Sequence, residues 1–341
     1  MAGKKTTIRN IARRAGVCPM TVSLALRGQR GVSASTRQRI QALAREMNYE
    51  HDPLVSRLMS RLPKDRRGGT PVLALVTDYE CPYQNLAHQR DVSSMAGAEA
   101  QARLLGYRLQ EFRISGEITG KRLSEILHNR GIEGVLIGPL QRAQTRLDLD
   151  WSRFASVALG YTLNQPVLDR VSNNHFQGIM EAMQQLHQRG YRRVGLMTTA
   201  DHDRRVRHAW TAGYLLSCRQ LGMRHPLPKF NAAPSLNTLR KWFDRYRPDV
   251  VLGDSSLTAW AESEWLRSTV DYASLHIHPQ REQGISGIDQ NWHQLGRVAV
   301  DMLVSRIHST ATGIPCYPVI TMGEGTWVNG RTTRRVAAAE T

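Results

Sequence analysis

The first fifty residues carry three consecutive helical patterns separated by turn residues. Over residues 8–15, apolar side chains recur at i, i+3, i+4 and i+7, which places them on one face of a short helix. Gly16 ends this helix, Pro19 suits the first position of a second helix, and Ser33 suits the N-cap of a third, whose apolar period runs over residues 40–47. Two short helices joined by a tight glycine turn form a helix-turn-helix, and the third closes a small core. The second helix is left with an outward face.

The positive charge of the chain is concentrated in the same segment. The whole chain has a net charge of +17, and residues 1–70 hold 15 Lys and Arg against 4 Asp and Glu, a net charge of +11. An ordinary three-helix bundle does not require this asymmetry, whereas neutralisation of nucleic-acid phosphates does. We therefore expect a DNA-binding head rather than a generally basic protein.

Three motifs of this head follow one another in a specific order. Residues 7–26 read TIRNIARRAGVCPMTVSLAL, residues 32–37 read VSASTR, and Asn48 and Tyr49 come next. This order resembles the LacI/GalR (lac repressor) family of bacterial transcription factors, in which T-x-x-x-I-A-x-x-A-G-V-x-x-x-T-V-S is followed by V-S-x-x-T-R and N/G-Y. The match is specific over the first 60 residues and looser, though continuous, to about residue 331. It implies that a core similar to sugar-binding proteins follows the head.

The resemblance also implies which residues read the bases. They lie just before and within the second helix, at Pro19, Met20 and Leu24. All three are apolar, unlike the polar readers common in the family, which indicates contact with thymine methyl groups. For Leu24, packing against the following segment is an equal alternative. The other predicted DNA contacts, those in and after the second helix mainly to phosphates, are Thr7, Thr21, Ser23 and Arg27.

Residues 53–60 follow the head as a short stretch with helical potential. In the family that the chain resembles, such a hinge helix forms on operator DNA and inserts a leucine into the minor groove as a wedge that kinks the duplex. Counting from Tyr49, Leu58 occupies the matching position. Pro53 is displaced from the usual Tyr-x-Pro-Asn sequence. The alternative is an interdomain helix that uses Leu58 and Met59 as ordinary core residues.

The sequence thus predicts a helix-turn-helix head over residues 1–52, a hinge helix and linker over 53–70, and an effector-binding and dimerisation core over 71–341. Along the core, short apolar runs alternate with helical stretches, which predicts parallel strands with crossover helices in an α/β doubly wound fold. The runs are Val72–Val76, Gly134–Ile137, Val157–Leu159, Val194–Met197, Val250–Leu252 and Ile285–Ile288. The helical stretches are Ala96–Leu105, Ile179–Gln188, Trp210–Leu221 and Leu295–Ile307.

For this core, the resemblance implies a periplasmic-binding-protein-like arrangement of two interleaved Rossmann-like subdomains. The crossing segments are expected near residues 161–163, 289–293 and 318–326. Since ligands of doubly wound folds bind at the carboxyl ends of the strands, a small effector is expected in the cleft between the subdomains. Dimerisation through the core would place two heads on half-sites related by two-fold symmetry.

Polar and aromatic side chains at the predicted strand ends are the candidates for this cleft: Asp78, Tyr79, Tyr161, Asp254 and Asp289. Carboxylates accept hydrogen bonds from sugar hydroxyls, and an aromatic face covers a sugar ring. Asp289 ends a strand that matches the family's V-x-G-x-D motif, although an Asp at a strand end also serves as a helix N-cap. The family commonly has the motif Arg-x-x-Gly-aromatic here, and Trp210 stands in the place of its arginine, three positions before Gly213. Arg207, just upstream, is the expected replacement, and both positions are predicted to contact the effector.

Several sites that would support other chemistry are absent from the sequence. Its cysteines, Cys18, Cys81, Cys218 and Cys316, show no paired spacing, so we predict neither a zinc site nor a disulfide, as is typical of a reducing cytoplasm. The sequence contains no glycine-rich nucleotide motif and no G-x-S-x-G, which predicts no cofactor and no catalytic residue. No apolar leader follows Met1, and no apolar run reaches about 18 residues, so we expect neither export nor a membrane partner.

Two other classes of protein fit parts of the sequence. An α/β enzyme with an accessory DNA-binding head would need a nucleophile with a base or a cofactor loop. A nucleoid-type architectural protein would be basic and carry a wedge, but would not need a core of about 270 residues. We therefore predict a cytoplasmic, homodimeric transcriptional regulator and repressor. It would bind double-stranded operator DNA and a small polar effector such as a carbohydrate or a derivative of one.

Overall fold

The computed structural model describes residues 6–26, 32–47, 49, 70–78, 93–114, 118–142, 145–223, 226–230, 236–253, 264–277 and 284–334. The chain divides into two compact units, residues 1–68 and residues 69–341. We call them the head and the core. Among the described residues, no helix is long and apolar enough to span a lipid bilayer.

The head contains three short helices: α1 (Ile8–Ala15), α2 (Pro19–Leu26) and α3 (Ala34–Glu46). Thr7 caps α1, and Gly16 ends it in the left-handed conformation (φ 65°), which glycine adopts without a steric penalty. Ser33 caps α3 as the sequence predicts, because its hydroxyl accepts a hydrogen bond from the backbone three residues on. The buried apolar side chains come from all three helices: Ile11, Ala12, Ala15, Val22, Ala25, Ile40 and Ala44.

The core is built from parallel strands with helices packed on them, as predicted. Its described strands are β1 (Val72–Thr77), β2 (Arg108–Arg113), β3 (Gly134–Ile137), β4 (Thr145–Arg146), β5 (Ala155–Leu159), β6 (Leu163–Gln165), β7 (Arg170–Asn173), β8 (Val194–Met197), β9 (Val250–Gly253), β10 (Asp271–Ile277), β11 (Ser286–Asp289), β12 (Ile320–Gly323) and β13 (Thr326–Val328). Its described helices are α4 (Ser94–Leu104), α5 (Gly120–Asn129), α6 (His175–Gln188), α7 (Ala200–Arg205), α8 (Ala209–Gln220), α9 (Leu236–Tyr246), α10 (Glu264–Thr269) and α11 (Trp292–His308).

These strands form two sheets, which define two lobes. The first lobe has the strand order β12-β7-β5-β3-β1-β2, and the second has the order β13-β11-β10-β9-β8, in which β13 is antiparallel to β11. Strands β4 and β6 form a separate two-stranded sheet. Each lobe buries its own apolar clusters, for example Ala74 and Val135 in the first and Val250 and Leu275 in the second.

The chain leaves the first lobe after β7, because the next helix, α6, packs into the apolar cluster of the second lobe. It returns between β11 and α11 and crosses again between β12 and β13. The predicted crossing near residues 161–163 is therefore wrong. There the chain enters β6, pairs with β4 and goes back to the first sheet through β7. The sequence analysis missed β7 because Arg170, Ser172 and Asn173 break its apolar character.

Helix α11 is fixed to the first lobe by two close backbone approaches. A Cβ atom on Gly296 would lie 1.7 Å from the carbonyl oxygen of Ser94, and one on Gly97 would lie 1.8 Å from that of His293. Side chains at these two positions would force α4 and α11 apart. The helix that returns from the second lobe is thus held tightly beside β5 and β7.

Candidate functional site

The outward face of α2 presents the apolar residues predicted to read bases. Pro19 is exposed and Met20 is 65% exposed. Leu24 is half-buried and does not belong to the buried cluster of the head, which leaves its side chain accessible for contact. Thr21 and Ser23 are also half-buried. The structure therefore keeps this face free of the head's own core.

A cysteine that the sequence analysis passed over organises the start of α2. The Sγ atom of Cys18 lies 3.1 Å from the hydroxyl of Thr21 and accepts a hydrogen bond from its backbone N–H at 3.4 Å. These bonds lower the pKa of the Cys18 thiol. The hydroxyl of Thr21, predicted to contact DNA, is thus held by Cys18. Thr7, also predicted to contact DNA, is exposed and caps α1.

The described part of the head has a strong positive charge. Glu46 is its one acidic side chain, and it pairs with Arg14 at 2.5 Å. The other basic side chains that the structure describes in helices α1 and α3 are Arg13, Arg37, Arg39 and Arg45. Such a surface fits a phosphate backbone. Arg27 and Leu58, the remaining predicted DNA contacts, lie outside the described residues.

At the strand ends of the core, the structure brings two predicted effector residues together. Tyr161 follows β5 in the first lobe, and Arg207 precedes α8 in the second. The guanidinium carbon of Arg207 lies 4.9 Å from the centroid of the Tyr161 ring. Arg207 has a positive φ of 54°, which is uncommon for a residue with a side chain. The two lobes therefore meet through a cation–π contact at the predicted cleft.

Of the predicted aspartates, the structure describes Asp78 and Asp289, and both accept hydrogen bonds from backbone N–H groups. The carboxylate of Asp78 accepts a hydrogen bond from the backbone N–H of Gln141 at 2.7 Å. That of Asp289 accepts one from the backbone N–H of Asn291 at 2.8 Å, just before α11 begins. Asp289 is half-buried. Tyr79 and Asp254 lie outside the described residues.

Trp210 lies inside the second lobe rather than on an open surface. Its ring is 5% exposed and belongs to the buried apolar cluster of that lobe. The edge of the ring meets His175, with 5.5 Å between ring centroids, and His175 in turn lies 6.5 Å from Tyr161. Burial and the nearby His276 lower the pKa of His175 to about 3, so this imidazole is neutral at physiological pH. Packing holds the ring in place, while its Nε1 atom is buried without a hydrogen-bond partner among the described residues, and the contact of Trp210 with an effector stays a prediction.

A buried ionic network, which the sequence analysis did not predict, supports the loop that carries Arg207. The carboxylate of Asp203 accepts hydrogen bonds from Lys229 at 2.6 Å and Thr211 at 2.9 Å, and lies 2.9 Å from Nδ1 of His208. Burial raises the pKa of Asp203, but these bonds outweigh burial and hold it below its ordinary value. The network joins α7, α8 and the segment before α9, so that Arg207 is presented from a fixed turn.

Two further arginines of the cleft region were missed. Arg205 reaches from the second lobe and donates to the carbonyl oxygens of Leu140 and Gln141 in the first lobe, each at 2.8 Å. Arg170, in β7, is 1% exposed and donates to the carbonyl oxygens of Gly160 and Leu163. In the sequence, only the position of Arg170 within a strand could have identified it as a cleft residue. No local pattern identifies Arg205.

The comparisons with known proteins follow the same division between head and core. A family profile described as "Bacterial regulatory proteins, lacI family" matches residues 7–52. The HTH-type transcriptional regulator TreR of Salmonella typhimurium is 25% identical over 337 residues, which cover 89% of this chain and 94% of TreR. The chain thus carries a LacI-family head over residues 7–52 and is similar along its length to HTH-type transcription regulators. The maltose regulon regulatory protein MalI of Escherichia coli is 30% identical over 138 residues, covering 39% of this chain and 36% of MalI.

Solved structures show that the chain has the fold of the lac repressor along its length. The lac repressor dimer bound to operator and the anti-inducer ONPF is 16% identical, with a TM-score of 0.53 over 96% of this chain and 99% of that chain. The transcriptional regulator CelR in complex with cellobiose is 21% identical, with a TM-score of 0.57 over 96% of this chain and all of that chain. At these identities the likeness concerns the fold alone.

Proposed function

We propose that this regulator is a repressor that binds an inverted-repeat operator as a homodimer in the bacterial cytoplasm. A small polar effector, such as a carbohydrate, would bind in the cleft between the lobes and change the affinity for DNA. The observation that carries the effector site is the contact between Arg207 and Tyr161, since these side chains belong to different lobes and meet at the strand ends. Two relatives favour a carbohydrate as the effector. The structure of CelR was solved with cellobiose, and MalI is named as the regulatory protein of a maltose regulon.

Such a site would act by linkage. An effector shifts the equilibrium between two arrangements of the lobes only by the difference in its affinity for them. Contacts that already join the lobes, such as those of Arg205 with Leu140 and Gln141, would be kept in one arrangement and broken in the other. The DNA affinity would change to the extent that the head senses this difference.

The DNA-binding half of the proposal is tested by selecting duplexes from a random library with the purified full chain. We expect an inverted repeat to be enriched, and its affinity to fall steeply with rising salt.

Leu58→Ala should reduce specific binding by about 1–3 kcal/mol, the scale of one site contact, and decrease the bend in a circular-permutation assay. Equal affinity for selected and random duplexes at one salt concentration would exclude a sequence-specific regulator.

The effector half is tested by screening sugars and sugar derivatives for an increase in the melting temperature, which a ligand of the folded state produces by mass action. Asp289→Ala and Arg207→Ala should abolish the effect of such a ligand on operator binding, while the ligand-free variants bind the operator like the wild type. Unaltered ligand affinity of Asp289→Ala in calorimetry would leave Asp289 as a turn residue only.

A further inference from the structure

Two arginines crowd one tyrosine in the cleft. The guanidinium carbons of Arg207 and Arg170 lie 4.9 Å and 5.5 Å from the centroid of the Tyr161 ring. Within the described part of the chain, neither guanidinium forms an ion pair with a carboxylate, and the Nη2 atom of Arg170 is buried without a hydrogen-bond partner. Burial and the charge of Arg207 lower the pKa of Arg170. Positive charge without a counter-ion is costly at such a site.

The carboxylates that the structure describes around the cleft have other partners. Asp78 and Asp289 accept hydrogen bonds from backbone N–H groups, and Asp203 is bound to Lys229. Helix α6 adds to the positive field, because it begins at His175, whose ring lies 6.5 Å from that of Tyr161. The described cleft thus combines two guanidinium groups with a helix N-terminus and a neutral imidazole.

We propose that the effector is an organic anion the size of a sugar, with its phosphate or carboxylate bound by Arg207 and Arg170 beside Tyr161. This inference rests on the proposed function, since it assigns the chemical class of the ligand in the same cleft. A guanidinium group binds both anions through paired N–H donors, and the two arginines approach from different lobes. An anion bridging them would stabilise the arrangement in which the lobes are close.

The proposal is tested by isothermal titration calorimetry on the full chain at constant ionic strength. The probes are glucose, glucose 6-phosphate, gluconate and inorganic phosphate. We expect the anions to bind, and the sugar anions to bind at least about tenfold more tightly than glucose. Arg207→Gln should weaken anion binding at least about tenfold, and Arg207→Lys, which keeps the charge but not the paired donors, should weaken it less.

A matched control separates this site from the general attraction of a basic protein for anions. Arg204→Gln removes the same charge three residues away, from a side chain that pairs with Asp201 at 3.4 Å and does not touch Tyr161. It should leave the affinity for the anions unchanged. Equal losses in Arg204→Gln and Arg207→Gln would show general charge attraction and overturn the proposal. Circular dichroism of each variant checks that it is folded.

Two other results overturn the anion assignment. The first is glucose binding as tightly as glucose 6-phosphate and remaining unaffected by Arg207→Gln, which would leave the proposed repressor function intact with a neutral effector. The second is that no probe, inorganic phosphate included, binds the wild type more tightly than Arg207→Gln. Failure of the proposed function itself is seen elsewhere, as the absence of sequence-specific operator binding by the wild-type chain.

Discussion

The head and the core hold their candidate functional side chains in different ways. In the head, Pro19 and Met20 project from a helix whose opposite face forms the small core, so the functional surface is separate from the packing that supports it. In the core, Arg205 and Arg207 take part in contacts between the lobes. The head can therefore bind its partner as a preformed surface. In the core, Arg207 is both a candidate effector residue and part of the contact between the lobes, so the candidate site is not separate from the arrangement of the lobes.

The largest loss of stability is expected in the core, from Asp203→Ala. In Asp203→Ala, Lys229 loses its carboxylate partner although its side chain is only 18% exposed. Removal of one member of a buried ion pair costs about 3–5 kcal/mol, because the remaining charge stays buried. Urea unfolding should show this loss in the free energy of unfolding, together with a loss of ligand response through Arg207.

The control for this variant lies on the same helix. Asp201→Ala removes an exposed ion pair with Arg204 in which both side chains are 48% exposed, and it should cost less than about 1 kcal/mol. A similar cost for Asp201→Ala and Asp203→Ala would contradict the assignment of Asp203 as a structural centre.

The next largest loss of stability is expected in the head, from Ile40→Ala. Ile40 is fully buried at the centre of the three helices, and Ile40→Ala is expected to cost about 2–5 kcal/mol. A unit of this size has a total stability of only a few kcal/mol, about 0.05–0.15 kcal/mol per residue, so operator binding should be lost. The melting temperature of the core and its response to ligand should remain, because the two units are separately compact. Fluorescence anisotropy with operator DNA and a thermal-shift assay measure the two results.

The same difference explains what the sequence alone predicts. The three helices of the head follow from periodicities within a few residues of each other, and the structure confirms them with Gly16 and Ser33 at the predicted turn and cap. The apolar strands of the core also follow from local composition. Strand β7 was missed because it contains Arg170 and Asn173, and with it the position of the first crossing between lobes.

The candidate cleft was predictable only in part, because its side chains depend on contacts between distant residues. Tyr161 and Arg207 could be chosen separately, as a strand end and as a displaced arginine, but nothing in the sequence places one on the other. The contacts of Arg205 join residues about 65 positions apart, and those of Asp203 with Lys229 cross 26 positions. The cleft aspartates were expected from the chemistry of sugar binding. In the structure Asp289 is bound within its own turn, whereas Asp78 is bound to the backbone of Gln141, 63 positions away.

A smaller change in stability is expected with pH, because of the buried His175 beside the cleft. His175 has a pKa of about 3 in the folded protein, below the ordinary value of about 6.5 expected after unfolding. The unfolded state binds the proton more readily between these values, so stability is complete above pH 6.5 and falls as the pH decreases below it. Between pH 7.5 and pH 5.0 this group should remove about 2 kcal/mol from the free energy of unfolding. His175→Asn should be less sensitive to pH over this range by the same amount in urea unfolding, and parallel profiles would contradict the buried, neutral state.

The smallest change in stability is expected for the exposed ion pair of the head, in contrast to the buried pair of Asp203 with Lys229 in the core. Arg14 and Glu46 lie 2.5 Å apart, but each side chain is 57% exposed, so water and salt screen their attraction. Arg14→Gln should therefore change the stability of the head by less than about 1 kcal/mol, and the difference should vanish at 1 M salt. Its affinity for operator should still fall if Arg14 lies near phosphates, and the salt dependence of binding would then decrease by about one ion. If Arg14→Gln lost as much stability as Asp203→Ala, the head, too, would depend on its charged side chains for folding. Its DNA-facing surface would then not be separate from the packing that stabilises it.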